Sequence, residues 1–203
     1  MDFTDEDLIL INAAKAKGGN VWEDPTLEDI KQRIKTHYRN GNAGHCCYCH
    51  RSFRGEFKFD IDIEHVLPKS KFLQFIFELF NLNISCKRCN MLIKKERTDF
   101  LIDADSIAQN PQQSDQYHLI HPNFDYYFDH MDYEVNIKNE IEMVKFTPKR
   151  PKGEYTYDFF RLNEIEIDMI NQAQGIRSVK SNETLLSLPR DIKDDVKDLI
   201  DKL

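Results

Sequence analysis

Two Cys-x-x-C turns, Cys46/Cys49 and Cys86/Cys89, constrain this chain more than any other feature. If their four sulfurs meet at one point, the 36 residues between the pairs must leave that point and return to it. Thiolates are soft, polarisable ligands that suit a tetrahedral ion, with metal–sulfur bonds of roughly 2.3 Å. Two such turns make a closed four-sulfur site with no position left for water, so the zinc they imply is structural rather than reactive. In a reducing compartment this spacing points to metal rather than to disulfides. The Cys-x-x-C rule selects Cys46 as first ligand, with the fifth cysteine, Cys47, as the alternative; His45 and His50 flank the knuckle and could substitute, although loop histidines beside zinc are more often bystanders.

The rest of the composition sets the class. At 203 residues, 40% hydrophobic and with 14 Phe and 8 Tyr, the chain has enough apolar material for a core. No run is long and apolar enough to cross a bilayer. The acidic start, Met1-Asp2-Phe3-Thr4-Asp5-Glu6-Asp7, is unlike a secretory signal, so a cytoplasmic protein is expected. The net charge of -7 argues against a generally basic DNA-coating protein. Residues 66–97 run the other way: Lys69, Lys71, Lys87, Arg88, Lys94, Lys95 and Arg97 face only Glu78 and Glu96, a local excess of five positive charges. A phosphate backbone would need that excess on the motif stretch.

Periodicity predicts an α+β fold. Residues 5–17 read as a helix ended by Gly18-Gly19-Asn20. A second helix is expected after Pro25, with Thr26 as N-cap and Leu27, Ile30, Ile34 and Tyr38 on one face. Alternation over 53–63 predicts a half-buried strand that delivers His65 at its end. Residues 83–86 read as a second strand, and a helix is expected from Cys89 onward; residues 72–80 read as helix or buried loop. Further on, the pattern predicts a loop over 103–116, a hairpin turning at Lys138-Asn139, a helix over 154–175 and a charged terminal helix over 189–203.

Between the knuckles lies the chemistry. Phosphodiester hydrolysis needs a group to take a proton from the attacking water, and histidine suits that task. It also needs neutralisation at the leaving oxygen, for which a hard ion such as Mg²⁺ or Mn²⁺, with oxygen ligands, is suited. His65 is the candidate base; Glu64 offers a carboxylate and Asn90 an amide oxygen; Lys69, Arg88 and Lys94 are candidate phosphate contacts. Alone, a Glu-His pair is usually a surface pair and an Asn a helix cap; their joint placement between the knuckles carries the reading.

With these residues in place, 46–97, about a quarter of the chain, resembles an HNH endonuclease, the ββα-metal (His-Me) finger. Glu64-His65 matches the metal ligand and general base, and Val66-Leu67-Pro68 the hydrophobic-x-Pro segment. Asn81 matches the central Asn that braces the loop orienting the base, and Asn90 the second metal-side residue. The resemblance implies one catalytic divalent ion on Glu64 and Asn90, water activated by His65, and 5′-phosphate products. Asp62 matches a position that is often acidic. Glu64 departs from the usual Asp and reaches one methylene further. The segments E-H-V-L-P-K-S-K and N-I-S-C-K-R-C-N are also similar to the HNH nucleases of bacterial anti-phage operons, such as the Septu nuclease encoded beside an ATPase.

The expected organisation is therefore an N-terminal helical segment over 1–42, a zinc-stabilised ββα core over 43–105, and an extension over 106–203 with a small hairpin. The extension would dock DNA, an ATPase or other operon partner, or a second copy of the chain. Its acids Glu154, Asp158, Glu164, Glu166 and Asp168, against Arg161, favour protein over nucleic acid. His118, His121, Asp125 and His130 read as an aromatic-rich packing segment rather than a second site, since Pro122 breaks any helix there. Two alternatives to a DNA endonuclease remain: RNA cleavage on the same finger, and a zinc-stabilised binding module without activity.

Overall fold

The computed structural model describes residues 1–54, 61–139 and 141–174. Helix α1 (Asp5–Lys17) starts at a capping box in which Thr4 and Asp7 satisfy each other's backbone amides. Asp7 also pairs with Arg33 of helix α2 (Glu28–Gly41), tying the two helices together. The expected cap at Thr26 is not formed. Asp24 is the capping residue, accepting from the Thr26 amide at 2.9 Å, and Pro25–Leu27 forms a short 3-10 turn that leads into α2. An aspartate two residues before an amide closes an Asx turn more readily than Thr26 can cap a helix that begins only at Glu28.

Helix α2 buries Ile30, Ile34 and Tyr38 against the two strands of the central hairpin, β1 (Ile61–His65) and β2 (Leu82–Cys86). The strands are antiparallel, with Ile61 opposite Cys86, Ile63 opposite Ile84 and His65 opposite Leu82. The period-2 rule puts those three pairs on one face and Asp62/Ser85 and Glu64/Asn83 on the other. Of the strand expected over 53–63, Phe53 and Arg54 are not in a strand, while Ile61 onward is, and that strand runs on to His65; Phe57 and Phe59 lie outside the described residues. Residues 72–80 are a loop with two 3-10 turns, Leu73–Phe75 and, at its end, Leu79–Asn81.

The helix expected from Cys89 is a π turn, Arg88–Lys94, closed by the Lys95 amide on the Asn90 carbonyl at 2.8 Å, and Lys95 ends it at φ 50°. A π turn holds one residue more than an α turn and is often found where a side chain must be re-aimed. After two 3-10 turns within 103–116, the chain forms the short helix α3 (Tyr127–His130). The expected hairpin follows as β3 (Met131–Lys138) and β4 (Ile141–Pro148), which pair as a second two-stranded sheet. The helix expected over 154–175 is two helices, α4 (Pro151–Phe159) and α5 (Leu162–Ala173), broken at Arg161 with φ 49°. Gly153 of α4 is obligatory, because a Cβ there would lie 1.9 Å from the His130 carbonyl oxygen. The helix expected over 189–203 lies outside the described residues.

The chain divides into two units: Met1–Glu134 with Lys145–Asn163, and Val135–Val144 with Glu164–Leu203. The knuckles, the hairpin β1–β2 and every candidate site residue belong to the first, which therefore joins the N-terminal segment, the knuckle region and the aromatic-rich stretch in one unit. Among the described residues, no helix is long and apolar enough to cross a membrane.

Candidate functional site

Cys46, Cys49, Cys86 and Cys89 are buried, and their sulfurs all lie within 4.8 Å of one another. Cys49 Sγ and Cys86 Sγ are 3.8 Å apart, the separation expected of two thiolates at about 2.3 Å from a tetrahedral ion. The first knuckle is shaped by the backbone: the Cys46 amide donates to Arg51 O, the His50 amide to Cys46 O, and His50 turns at φ 54°. The second knuckle joins the end of β2 to the π turn, and the Cys86 amide donates to Cys46 Sγ at 3.4 Å. Burial alone would push the Cys46 thiol up, but hydrogen bonds from the neighbouring thiols outweigh it and hold Cys46 well below its ordinary value. The donor set and spacing are compatible with zinc. Cys47 is not one of the four clustered sulfurs, so Cys46 is the first member of the set.

His65 ends β1 with its ring edge-to-face on Trp22, centroids 4.4 Å apart. Its Nε2 lies 3.1 Å from the Ile76 carbonyl oxygen. A carbonyl only accepts, so Nε2 carries the proton and Nδ1 keeps its lone pair. Burial, followed by the positive charges of Lys69 and Lys94, lowers its pKa to about 3 against the lift from Ile76, and the ring is neutral at pH 7. Asn81 fixes the loop that leads away from His65. Its Oδ1 accepts from the Leu67 amide at 2.6 Å, and its Nδ2 donates to Leu67 O and Phe75 O, each at 3.1 Å. The Val66 amide adds a bond to Asn81 O at 2.9 Å. One buried amide thus binds both ends of the 67–75 loop.

Glu64 points to the other face of β1 and is wholly buried. Its Oε1 meets Lys94 Nζ at 2.8 Å and accepts from Tyr48 OH at 3.0 Å, while Oε2 lies 3.5 Å from Ser85 Oγ. Burial raises its pKa, opposed by the Lys94 ammonium and the Tyr48 hydroxyl. Asn90 is bonded to Asp62. Its Nδ2 donates to Asp62 Oδ2 at 3.3 Å, and Lys87 takes Asp62 Oδ1 at the same distance. The hairpin thus gathers Glu64, Asp62 and the π-turn residues Asn90 and Lys94 on one side, with His65 directed to the other.

Of the three expected phosphate contacts, Lys69 is partly exposed; it lies 3.7 Å from Glu23 and over the Trp22 ring, beside His65. Arg88 spends its guanidinium on the Phe160 and Arg161 carbonyls, at 2.8 Å each, at the C-terminus of α4. Lys94 is 1% exposed and cannot reach a phosphate as placed. Tyr48 was not anticipated: it lies inside the first knuckle, stacks on Phe160 at 4.2 Å and carries the hydroxyl that meets Glu64. No spacing rule links a knuckle tyrosine to a carboxylate 16 residues on.

His121 and Asp125 belong to a separate buried cluster. Asp125 accepts from Ser114 Oγ, Lys152 Nζ and the His121 amide at 2.6 to 2.7 Å. His118 lies tilted against Tyr155, ring centroids 5.2 Å apart, and His130 lies 3.8 Å from Asp125. Compared with protein-family models, curated proteins and solved structures, the chain matches none of them.

Proposed function

We propose that this chain is a DNA endonuclease of the ββα-metal type, braced by zinc, with His65 as general base. The observation that carries the reading is the His65 constellation: a neutral imidazole, its Nε2 pinned to a carbonyl and its Nδ1 left as acceptor, on a loop stapled by Asn81. The hairpin followed directly by the turn Arg88–Lys94, with cysteines at the junction, supports the finger architecture. In the reaction, His65 Nδ1 takes a proton from water as the water oxygen bonds to phosphorus. The bond from phosphorus to the 3′ oxygen breaks, and that oxygen gains a proton from solvent, leaving 5′-phosphate and 3′-hydroxyl ends. A bound phosphodiester brings negative charge beside the ring and lifts its pKa back toward the range where proton transfer is efficient. Lys69, beside the base, is placed to hold a flanking phosphate.

A divalent ion on Glu64 and Asn90 would supply charge neutralisation at the leaving oxygen. The residues as placed do not fit one: Glu64 is closed off by Lys94 and Tyr48, and Asn90 faces Asp62. That closure favours a second reading, a zinc-stabilised binding module without activity. The test is incubation of zinc-loaded protein with supercoiled plasmid, and separately with single-stranded RNA, in Mg²⁺ or Mn²⁺. The nuclease reading predicts nicked plasmid with 5′-phosphate ends. Cleavage of RNA alone moves the substrate class to RNA, and binding of plasmid without nicking supports the module. An anti-phage setting, with a partner ATPase setting specificity, is consistent with the chain's acidic balance; a repeat of the assay with the neighbouring gene product tests it.

A further inference from the structure

Lys94 is the most unusual residue in the molecule. Lysine is almost never fully buried without a partner, yet Lys94 is 1% exposed beneath the candidate site. Its ammonium has three directions to satisfy, and the structure answers each. Glu64 Oε1 lies at 2.8 Å, the His65 main-chain carbonyl accepts at 2.8 Å, and the Phe100 ring centroid stands 5.7 Å away. The cation therefore touches both halves of the Glu64-His65 dipeptide: the side chain of one and the backbone of the other. Its neighbour Lys95 is exposed, so the local sequence had a solvent-facing alternative at the next position.

The π turn is what aims it inward. With the Lys95 amide bonded to Asn90 O, the turn from Asn90 to Lys94 is one residue wider than an α turn, and Lys94 closes it facing the carboxylate. In an α turn, with the i→i+4 pattern, the same residue would sit at a different angle about the axis.

We infer that Lys94 is an internal cation seated where Glu64 would otherwise take a divalent ion, so that ion binding at Glu64 requires Lys94 to leave. The inference rests on the reading of Glu64 as a metal-side carboxylate. In this arrangement Lys94 acts as a latch on the site rather than as a phosphate contact. A bound ion and the ammonium compete for one carboxylate, and the ion's apparent affinity is reduced by the fraction of time the latch is closed.

The test compares Mn²⁺ binding by the full chain, with zinc retained, in wild type, Lys94→Met and the double variant Lys94→Met/Glu64→Gln. Loss of the free Mn²⁺ resonance reads binding without any need for activity. The expected result is binding at least about tenfold tighter in Lys94→Met than in wild type, with the gain abolished in the double variant. Unchanged or weaker binding by folded, zinc-loaded Lys94→Met, including no binding by either protein, overturns the latch. Should Lys94→Met fail to fold, wild type decides. Lys94 must resist amine acetylation without Mn²⁺ and become reactive at saturating Mn²⁺, read by mass spectrometry of its peptide; continued protection overturns the proposal. Plasmid nicking is scored in parallel. Tighter Mn²⁺ binding with no nicking in any protein removes the nuclease reading and leaves the latch. Nicking with unchanged affinity removes the latch and leaves the nuclease.

Discussion

His65 and His121 are two buried imidazoles, each with its pKa lowered to about 3, burial being the largest cause in both. They differ in which nitrogen is committed. His65 uses Nε2 against the Ile76 carbonyl, so its proton is on Nε2 and Nδ1 keeps a lone pair. His121 uses Nδ1 to accept the Asn123 amide at 3.2 Å, so the proton sits on Nε2, which is buried with no partner among the described residues. It lies face to face with Phe124 at 4.0 Å and edge-on to Tyr117 at 4.5 Å, fully enclosed. His121 has no lone pair free to accept a proton. Burial, titration behaviour and tautomer would rank the two alike; what separates the packing residue from the candidate base is the Asn123 amide that occupies the Nδ1 lone pair of His121.

The strongest way to break the comparison is to remove what holds the first histidine in place. Cys86→Ser, or zinc chelation, should unfold the knuckle region and lower the melting temperature by about 10 °C or more. Metal analysis should give one zinc per wild-type chain and none in the variant; a zinc-free chain that melts normally removes the brace. Next, Asn81→Ala deletes three hydrogen bonds to the 67–75 loop. It should cost about 2–4 kcal/mol in denaturant unfolding and lower nicking further than stability alone explains, since the loop leads directly into Ile76, whose carbonyl pins His65. Gly153→Ala should destabilise by about 1–3 kcal/mol through its clash with His130 O, with nicking kept at permissive temperature.

The smallest effect is in pH, and both histidines contribute with the same sign. Their folded pKa values, about 3, lie below the ordinary 6.5, so the unfolded chain binds more protons between those limits. Their contribution is fully present above pH 6.5 and is lost as pH falls toward 3. Melting temperature should therefore drop from pH 7 to pH 5. His121→Gln should flatten that slope, and an unchanged slope would show that His121 does not titrate as its burial demands.

Much of this was legible where the chemistry is local. Cys46, Cys49, Cys86 and Cys89 announce themselves by spacing, and they converge as four thiols must. The faces of α2 and the ends of α1 follow from periodicity and capping. What sequence could not give is where charged side chains point once the turn geometry is set. Lys94 read as a phosphate contact because a lysine in a basic stretch is usually solvated; the π turn, which no periodicity signals, buries it against Glu64 instead. Arg88 is spent on the carbonyls ending α4, which lies over 60 residues away in sequence. Tyr48 and Asp62 take their partners across the hairpin, and only the fold brings those together.

The most direct test of the account is the plasmid-nicking rate of His65→Ala beside that of His121→Ala, at matched zinc content and at a temperature where both are folded. The account predicts a loss of about 10²–10⁴-fold for His65→Ala and near wild-type nicking for His121→Ala. Equal rates in the two variants would contradict it.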